Sequence, residues 1–362
     1  MIPYGRQSID EEDIQAVVEV LRGDWLTQGP TVEHFERAIA EYVGAEYAVA
    51  FSSGTAALHG ATVAAELGPG DLVVTSPLTF MASANCARYV GATPALVDID
   101  PMTWNLDLSR IQKRTEAVVA VHYAGLPVDL SNPGWVSRPR VVIEDAAHAL
   151  GALTPDGPVG NCAHSDMCCF SFHPVKPITT GEGGMVTTNS DELAARLRRF
   201  RSHGIVRKPE LGEWYYEISE LGFNYRMTDI QAALGLSQAR KLEQFTIRRN
   251  EIAAQYRDLL GHLSVELPPP AAKGFRHSYH LFPVLVPNRS EVFSILRSRG
   301  IGVQVHYVPI HQHPLSRDID QIGDLSTADE VCSAILSLPI YPSLSEENLQ
   351  FVIGVLAQCL ER

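Results

Sequence analysis

The sequence predicts an α/β protein: a large domain built on a mostly parallel central sheet, followed by a smaller C-terminal α/β domain. Short apolar runs alternate with helical patterns over much of the first half, the rhythm of strands joined by crossover helices. The length, 362 residues, is long for one core and suits a large domain plus a smaller one. Pro268-Pro269-Pro270 marks a break in organisation. The domains are read as 1–242 and 243–362.

The first element is an amphipathic helix over 10–22, with Ile14, Val17, Val18 and Leu21 on one face and acids at its N-terminal end, where the helix dipole favours them. A loop with two glycines (23–31) leads to a second helix ending at Gly44, a residue suited to a left-handed C-cap. Strands are expected at 47–51, 72–76, 94–98, 118–121, 141–143, 167–172 and 185–188, with helices near 54–66, 80–90 and 193–200. Residues 206–219 are polar and aromatic without a period and read as a long loop that orders around a ligand or partner. Thr228 caps a helix to Arg240, and another helix runs from Glu243 to Leu260. The smaller domain reads as strand 280–286, helix 291–299, strand 301–307, helix 331–336 and a closing helix 349–360.

The formal charge of −13 argues against nucleic-acid or membrane-surface binding, which call for a basic face. Six cysteines have no CxxC pair and no zinc-ligand spacing. Cys168 and Cys169, adjacent on one strand, should pack on opposite faces as small hydrophobes. The N-terminal MIPYGRQSIDEEDIQ lacks a basic stretch followed by an apolar one, and no run is long enough for a membrane span. The expected location is the cytoplasm.

Chemistry concentrates where strands end, the side of a parallel sheet on which ligands bind. Lys176 lies between Pro174 and Pro177, just after the apolar run 167–172. A desolvated lysine deprotonates readily and serves as a nucleophile or Schiff-base former, although the same residue reads as an ordinary exposed loop lysine. Asp145 follows the buried run VVI. It either caps a helix or faces a cation such as a protonated pyridine nitrogen. Ser52-Ser53-Gly54-Thr55 joins a strand to a helix, leaving amides where a phosphate can sit or where a serine simply caps.

Four segments occur in order: SSGTAAL at 52–58, EDAAHALGA at 144–152, SFHPVKPITTGEGG at 171–184 and GFNYRMTDIQAALGL at 222–236. With LTQGPTVEHFE near the start and RSHGI at 201–205, the set closely resembles the DegT/DnrJ/EryC1/StrS sugar aminotransferases, fold-type I pyridoxal-phosphate enzymes. The resemblance spans essentially the whole chain. It implies that pyridoxal 5′-phosphate is held on Lys176 as a Schiff base, with Asp145 facing the pyridine nitrogen. It likewise implies that His148 approaches the phenolic oxygen, that Phe80 stacks on the ring, and that Gly54, Thr55 and Ser171 form the phosphate cup. Asn224 matches a residue that reaches the phosphate from the other subunit, which implies a homodimer with shared active sites.

For the sugar nucleotide the resemblance points to Tyr4, to an N-terminal loop Asp24-Trp25-Leu26-Thr27, and to Tyr307-Val308-Pro309-Ile310. Arg226 is added as an anion partner, and Gly54, Ser171 and Asn224 also touch substrate. The lysine segment, with VQVHYVPIH at 303–311, looks most like members that aminate the 4-keto carbon of a UDP-linked 4-keto-6-deoxy-N-acetylhexosamine in a pseudaminic-acid-type pathway. By the same resemblance L-glutamate is the amino donor. His306, His311 and His313 are given no metal role. Amination of C3 or C4 in another dTDP- or UDP-keto-deoxysugar is the alternative reaction. A non-catalytic protein that binds the cofactor or nucleotide sugar is the alternative of another class. A related dehydratase replaces the lysine with histidine, and Lys176 speaks against it.

Overall fold

A computed structural model describes residues 1–111, 114–131, 133–135 and 137–361. Its first helix, α1 (Glu11–Arg22), begins at Asp10, whose side chain accepts from the Asp13 amide while Asp13 returns the contact, a reciprocal cap that satisfies two otherwise orphaned donors. Helix α2 (Pro30–Val43) starts on proline and stops at Gly44, which adopts φ 79°, a conformation glycine reaches without steric cost.

The chain then builds its main sheet from β1 (Tyr47–Phe51), β2 (Leu72–Thr75), β3 (Thr93–Val97), β4 (Ala117–Val121), β5 (Val141–Asp145), β6 (Met167–Ser171) and β7 (Gly184–Thr188). Helices α3 (Gly54–Ala64), α4 (Ala82–Tyr89) and α5 (Asp191–Phe200) lie between or after them. An eighth strand comes from far along the chain, and the order is β1-β7-β6-β5-β4-β2-β3 followed by Asp320–Ile322. Every neighbouring pair is parallel except those made by β7. The strands are almost wholly apolar and buried, as expected for a sheet covered on both sides. Cys168 and Cys169 fall in different cores on opposite faces of the sheet. One core packs α3, α4 and α5 on it; the other packs α2 and α6 (Asp229–Ala239).

Helix α7 (Leu242–Leu260) leads to the C-terminal elements, among them α8 (Arg289–Ser298), whose core gathers Ile252, Tyr256, Phe282, Leu296, Leu338 and Leu356. Three stretches differ from the sequence expectation. Residues 206–219 are not a loop: β8 (Ile205–Arg207) pairs antiparallel with β9 (Tyr216–Ile218). Three-residue strands are too short to show an alternation, and Pro209 and Gly212 dominate the pattern between them. The strand expected at 301–307 is absent. Ile301 bridges Ile2 and Gln304 bridges Ser337, so the segment changes partner midway and forms no continuous ladder. The helix expected at 331–336 is split: α9 (Ser326–Ala334) ends and Ile335–Leu338 continues as a strand. That strand pairs with Phe282–Leu285, and Pro339 follows it at once, which disfavours helix in the residue before it. Among the described residues no helix is long and apolar enough to cross a membrane.

Candidate active site

The carboxyl ends of β1, β5 and β6 converge on a cavity of about 390 Å³. From the expected set, Tyr4, Gly54, Thr55, Phe80, Asp145, His148, Ser171, Lys176 and Tyr307 line it. The lysine loop is closed locally. Phe172 N–H donates to Gly183 O at 2.9 Å, Thr180 N–H to Phe172 O at 3.0 Å, and Lys176 N–H to His173 O at 2.9 Å. With proline on either side of Val175-Lys176, the backbone has few alternatives. The Lys176 side chain has some accessible surface, and it borders the cavity. Burial pushes its ammonium down from 10.5 to about 8, against the opposing pull of the Asp145 charge.

Asp145 ends β5 and is buried. One carboxylate oxygen accepts from the Ala147 amide at 3.1 Å, the other from Ser83 Oγ at 2.6 Å. At the opposite wall, Ser53 caps α3 by accepting from Ala56 N–H. A Cβ on Gly54 would stand 2.9 Å from Ser171 Cβ, and one on Gly184 would stand 2.3 Å from Ser53 O. Glycine at both places lets the first turn of α3 close onto the end of β6. The Gly54 and Thr55 amides, which open the helix and have no partner within it, therefore sit beside the Ser171 hydroxyl. Such a cradle suits a phosphate.

His148 Nε2 lies 3.1 Å from Tyr307 Oη, and its ring is 4.5 Å from that of His280. Both histidines are buried, with their Nδ1 atoms unpartnered among the described residues. Burial drives both imidazoles well below 6.5, and the Lys176 charge adds to the effect. His306 falls to about 4 for the same two reasons, while burial pushes the Tyr307 hydroxyl up. The histidines and Tyr307 around Lys176 are thus polar but uncharged, so they place no second cation beside its amine.

The cavity also takes in residues to which the sequence reading gave no site role, among them Thr79, Glu182, His280 and His306. Other expected residues lie elsewhere in the single chain. Asp24 and Trp25 border a separate open groove of about 750 Å³ between α1 and α6. Leu26 and Thr27 contact the start of α6: Leu26 O accepts from Asp229 N–H, and Thr27 bridges Thr228. Asn224 is exposed and bridges Ser202, and Arg226 lies two residues beyond it. Val308 is exposed, Pro309 precedes a short helical turn, and Ile310 is buried with its amide on Pro77 O. His311 bonds Asp329 and His306 bonds Ser337.

A profile of the DegT/DnrJ/EryC1/StrS aminotransferase family matches residues 7–357. The chain belongs to this family. A spore coat polysaccharide biosynthesis protein, SpsC of Bacillus subtilis, is 39% identical over 97% of this chain and 95% of its own length. A UDP-4-amino-4,6-dideoxy-N-acetyl-beta-L-altrosamine transaminase of Campylobacter jejuni is 37% identical over 100% and 98%. Among solved structures, a putative sugar aminotransferase from Streptococcus pneumoniae in its PMP form superposes with TM-score 0.92 at 28% identity, covering 100% of this chain and 99% of that one. Family membership makes the chain an aminotransferase whose cofactor is pyridoxal 5′-phosphate. The cavity has features that suit that group: a phosphate cradle, a lysine of lowered basicity and a buried carboxylate.

Proposed function

We propose that the protein transfers the amino group of L-glutamate to the 4-keto carbon of a UDP-linked 4-keto-6-deoxy-N-acetylhexosamine, as a homodimer with shared sites. The observation that carries this reading is the convergence of Lys176, Asp145 and the Gly54–Ser171 cradle on one cavity. Its substrate side rests on the Campylobacter relative, whose name specifies a UDP-amino sugar. Bound, the cofactor supplies an electron sink that stabilises negative charge on the substrate carbon.

The chain's residues supply the rest. Gly54, Thr55 and Ser171 would hold the phosphate, and Asp145 would present its carboxylate to the pyridine nitrogen. Phe80, 62% exposed in the single chain yet on the cavity wall, would cover the ring and exclude water. His148, kept oriented by Tyr307, would face the phenolic oxygen. Lys176 would hold the cofactor and, as a free amine, would take and return the proton at the substrate carbon. Asn224 completes the phosphate cup of a second copy. Glutamate leaves as 2-oxoglutarate, and the keto sugar then receives the amino group.

Visible absorbance tests the reading. Purified protein should be yellow, bleach with L-glutamate, and recover its colour with the UDP-4-keto-6-deoxy-HexNAc. Bleaching without recovery on that sugar, but with recovery on another dTDP- or UDP-keto sugar, would favour the alternative reaction. The similar identity to SpsC, whose name specifies only polysaccharide biosynthesis, is the reason to include those sugars. Protein that stays colourless with added pyridoxal phosphate would remove the reading altogether.

A further inference from the structure

Asp145 is an acid whose two oxygens are both spoken for, and the group holding the second has no role in the reading above. Ser83, in α4, is buried and donates to Asp145 Oδ2 at 2.6 Å. Its hydroxyl also lies 2.7 Å from Thr79 Oγ1 and 3.2 Å from the Phe80 carbonyl. A serine carries one proton and a carboxylate none, so the assignment follows from counting. The shortest contact, to a charged acceptor, is the strongest of the three open to the Ser83 proton. Ser83 therefore donates to Asp145, and Thr79, itself buried and on the cavity wall, donates to Ser83. The direction is fixed: Thr79 hydroxyl to Ser83 hydroxyl to Asp145 carboxylate.

We propose that Ser83, backed by Thr79, is a positioning residue that fixes the plane of the Asp145 carboxylate and holds it in its acceptor form. This rests on the functional reading in which Asp145 faces the pyridine nitrogen. The Ala147 amide holds Oδ1 and the Ser83 hydroxyl holds Oδ2, so the carboxyl group cannot turn about its own axis without losing both. Each oxygen retains lone-pair capacity for a further donor. Both strap groups are donors, and a donor binds a carboxylate more strongly than a neutral acid, so each favours the charged form of Asp145. The relay thus opposes transfer of the pyridine proton onto Asp145. A strap on one side only would leave the acid free to swing away from the ring. The local helix gives Ser83 an ordinary alternative, the Phe80 carbonyl three residues back, and its hydroxyl reaches across to β5 instead.

The test uses the holoenzyme reconstituted with pyridoxal phosphate labelled with nitrogen-15 in the ring. The nitrogen chemical shift reports protonation directly, a readout that a merely structural serine would not move. Wild-type protein should hold the ring nitrogen protonated from pH 6 to 9. Ser83→Ala should shift the nitrogen towards the unprotonated value within that range. It should also slow the glutamate half-reaction by about tenfold or more, the scale for losing a hydrogen bond to a charged group. Ser83→Thr, which keeps the hydroxyl, should restore both, and Thr79→Val should move both in the same direction by less. A Ser83→Ala enzyme with the wild-type nitrogen shift and half-reaction rate would overturn the relay while leaving the functional reading intact. A wild-type protein that retains no pyridoxal phosphate would overturn that reading, and the relay with it.

Discussion

Below about pH 8 the Lys176 amine carries a proton and cannot attack an aldehyde; above it, the amine is free. Apoenzyme should therefore capture pyridoxal phosphate faster as pH rises from 6, with the rate levelling above about 8, and stopped-flow absorbance at several pH values checks this. Lys176→Arg, a cation at every accessible pH, should form no borohydride-reducible adduct while remaining folded. A rate that keeps climbing past about pH 9 without levelling would show that the lysine is not desolvated. The linkage has a definite sign. The folded-state value lies below that of a free lysine, so the unfolded chain binds more protons between about 8 and 10.5, and apoprotein stability gains from Lys176 as pH rises through that window. Lys176 and Asp145 were legible in the sequence because each is a charge in an apolar neighbourhood, a local conflict that asks for an explanation. Ser83 was not. A serine among small residues in ASANC contradicts nothing locally, and its partner on β5 is 62 positions away.

The hairpin β8–β9 is the element the sequence concealed most fully, and its surface explains why it is there. Two three-residue strands are too little to be stable alone. Yet Leu211, Trp214, Tyr216, Ile218 and Leu221 are all exposed around it, Trp214 at 78%. Asn224 follows three residues beyond Leu221. Under the proposed shared site, a second copy covers this surface and receives Asn224. Trp214→Glu combined with Ile218→Glu should then turn a dimer into a monomer by light scattering, and lower cofactor retention on dialysis by tenfold or more. A dimer that persists with full retention would place the contact elsewhere. The long strands of the main sheet, by contrast, were read to within a residue or two, since continuous apolar runs of about five residues between glycine and proline signals leave little choice. The C-terminal elements were read less well because their partners change along the chain. Residues 301–307 serve first Ile2 and then Ser337, and no local pattern records that.

At the scale of the whole molecule, the two ends of the sequence close one site. The eighth strand of the main sheet is Asp320–Ile322, and the buried Asp98 after β3 accepts from the Thr327 and Ala328 amides that open α9. Tyr4 O accepts from Ile340 N–H, while the Tyr4 ring lies 5.1 Å from that of His306. This closure brings His277, His280 and His306, from the C-terminal elements, together with His148 under the cavity, all of them buried. Burial lowers every one, His306 to about 4 and His277 to about 3. Lys176 faces His148, His280 and His306, and Arg257 faces His277. The unfolded chain therefore binds more protons than the folded one as pH falls below about 6.5, and stability must fall with it. A single histidine moved from 6.5 to about 4, as His306 is, costs about 2 kcal/mol between pH 7.5 and pH 5. Thermal melts of apoprotein over that range should show a steady loss. His306→Gln, which keeps a polar side chain near Ser337 but cannot titrate, should start less stable and lose visibly less on acidification. Equal slopes for the two proteins would mean that His306 accepts a proton without unfolding. The cavity would then be open enough to water to protonate its own histidines, and the low basicity of Lys176 would need a cause other than burial.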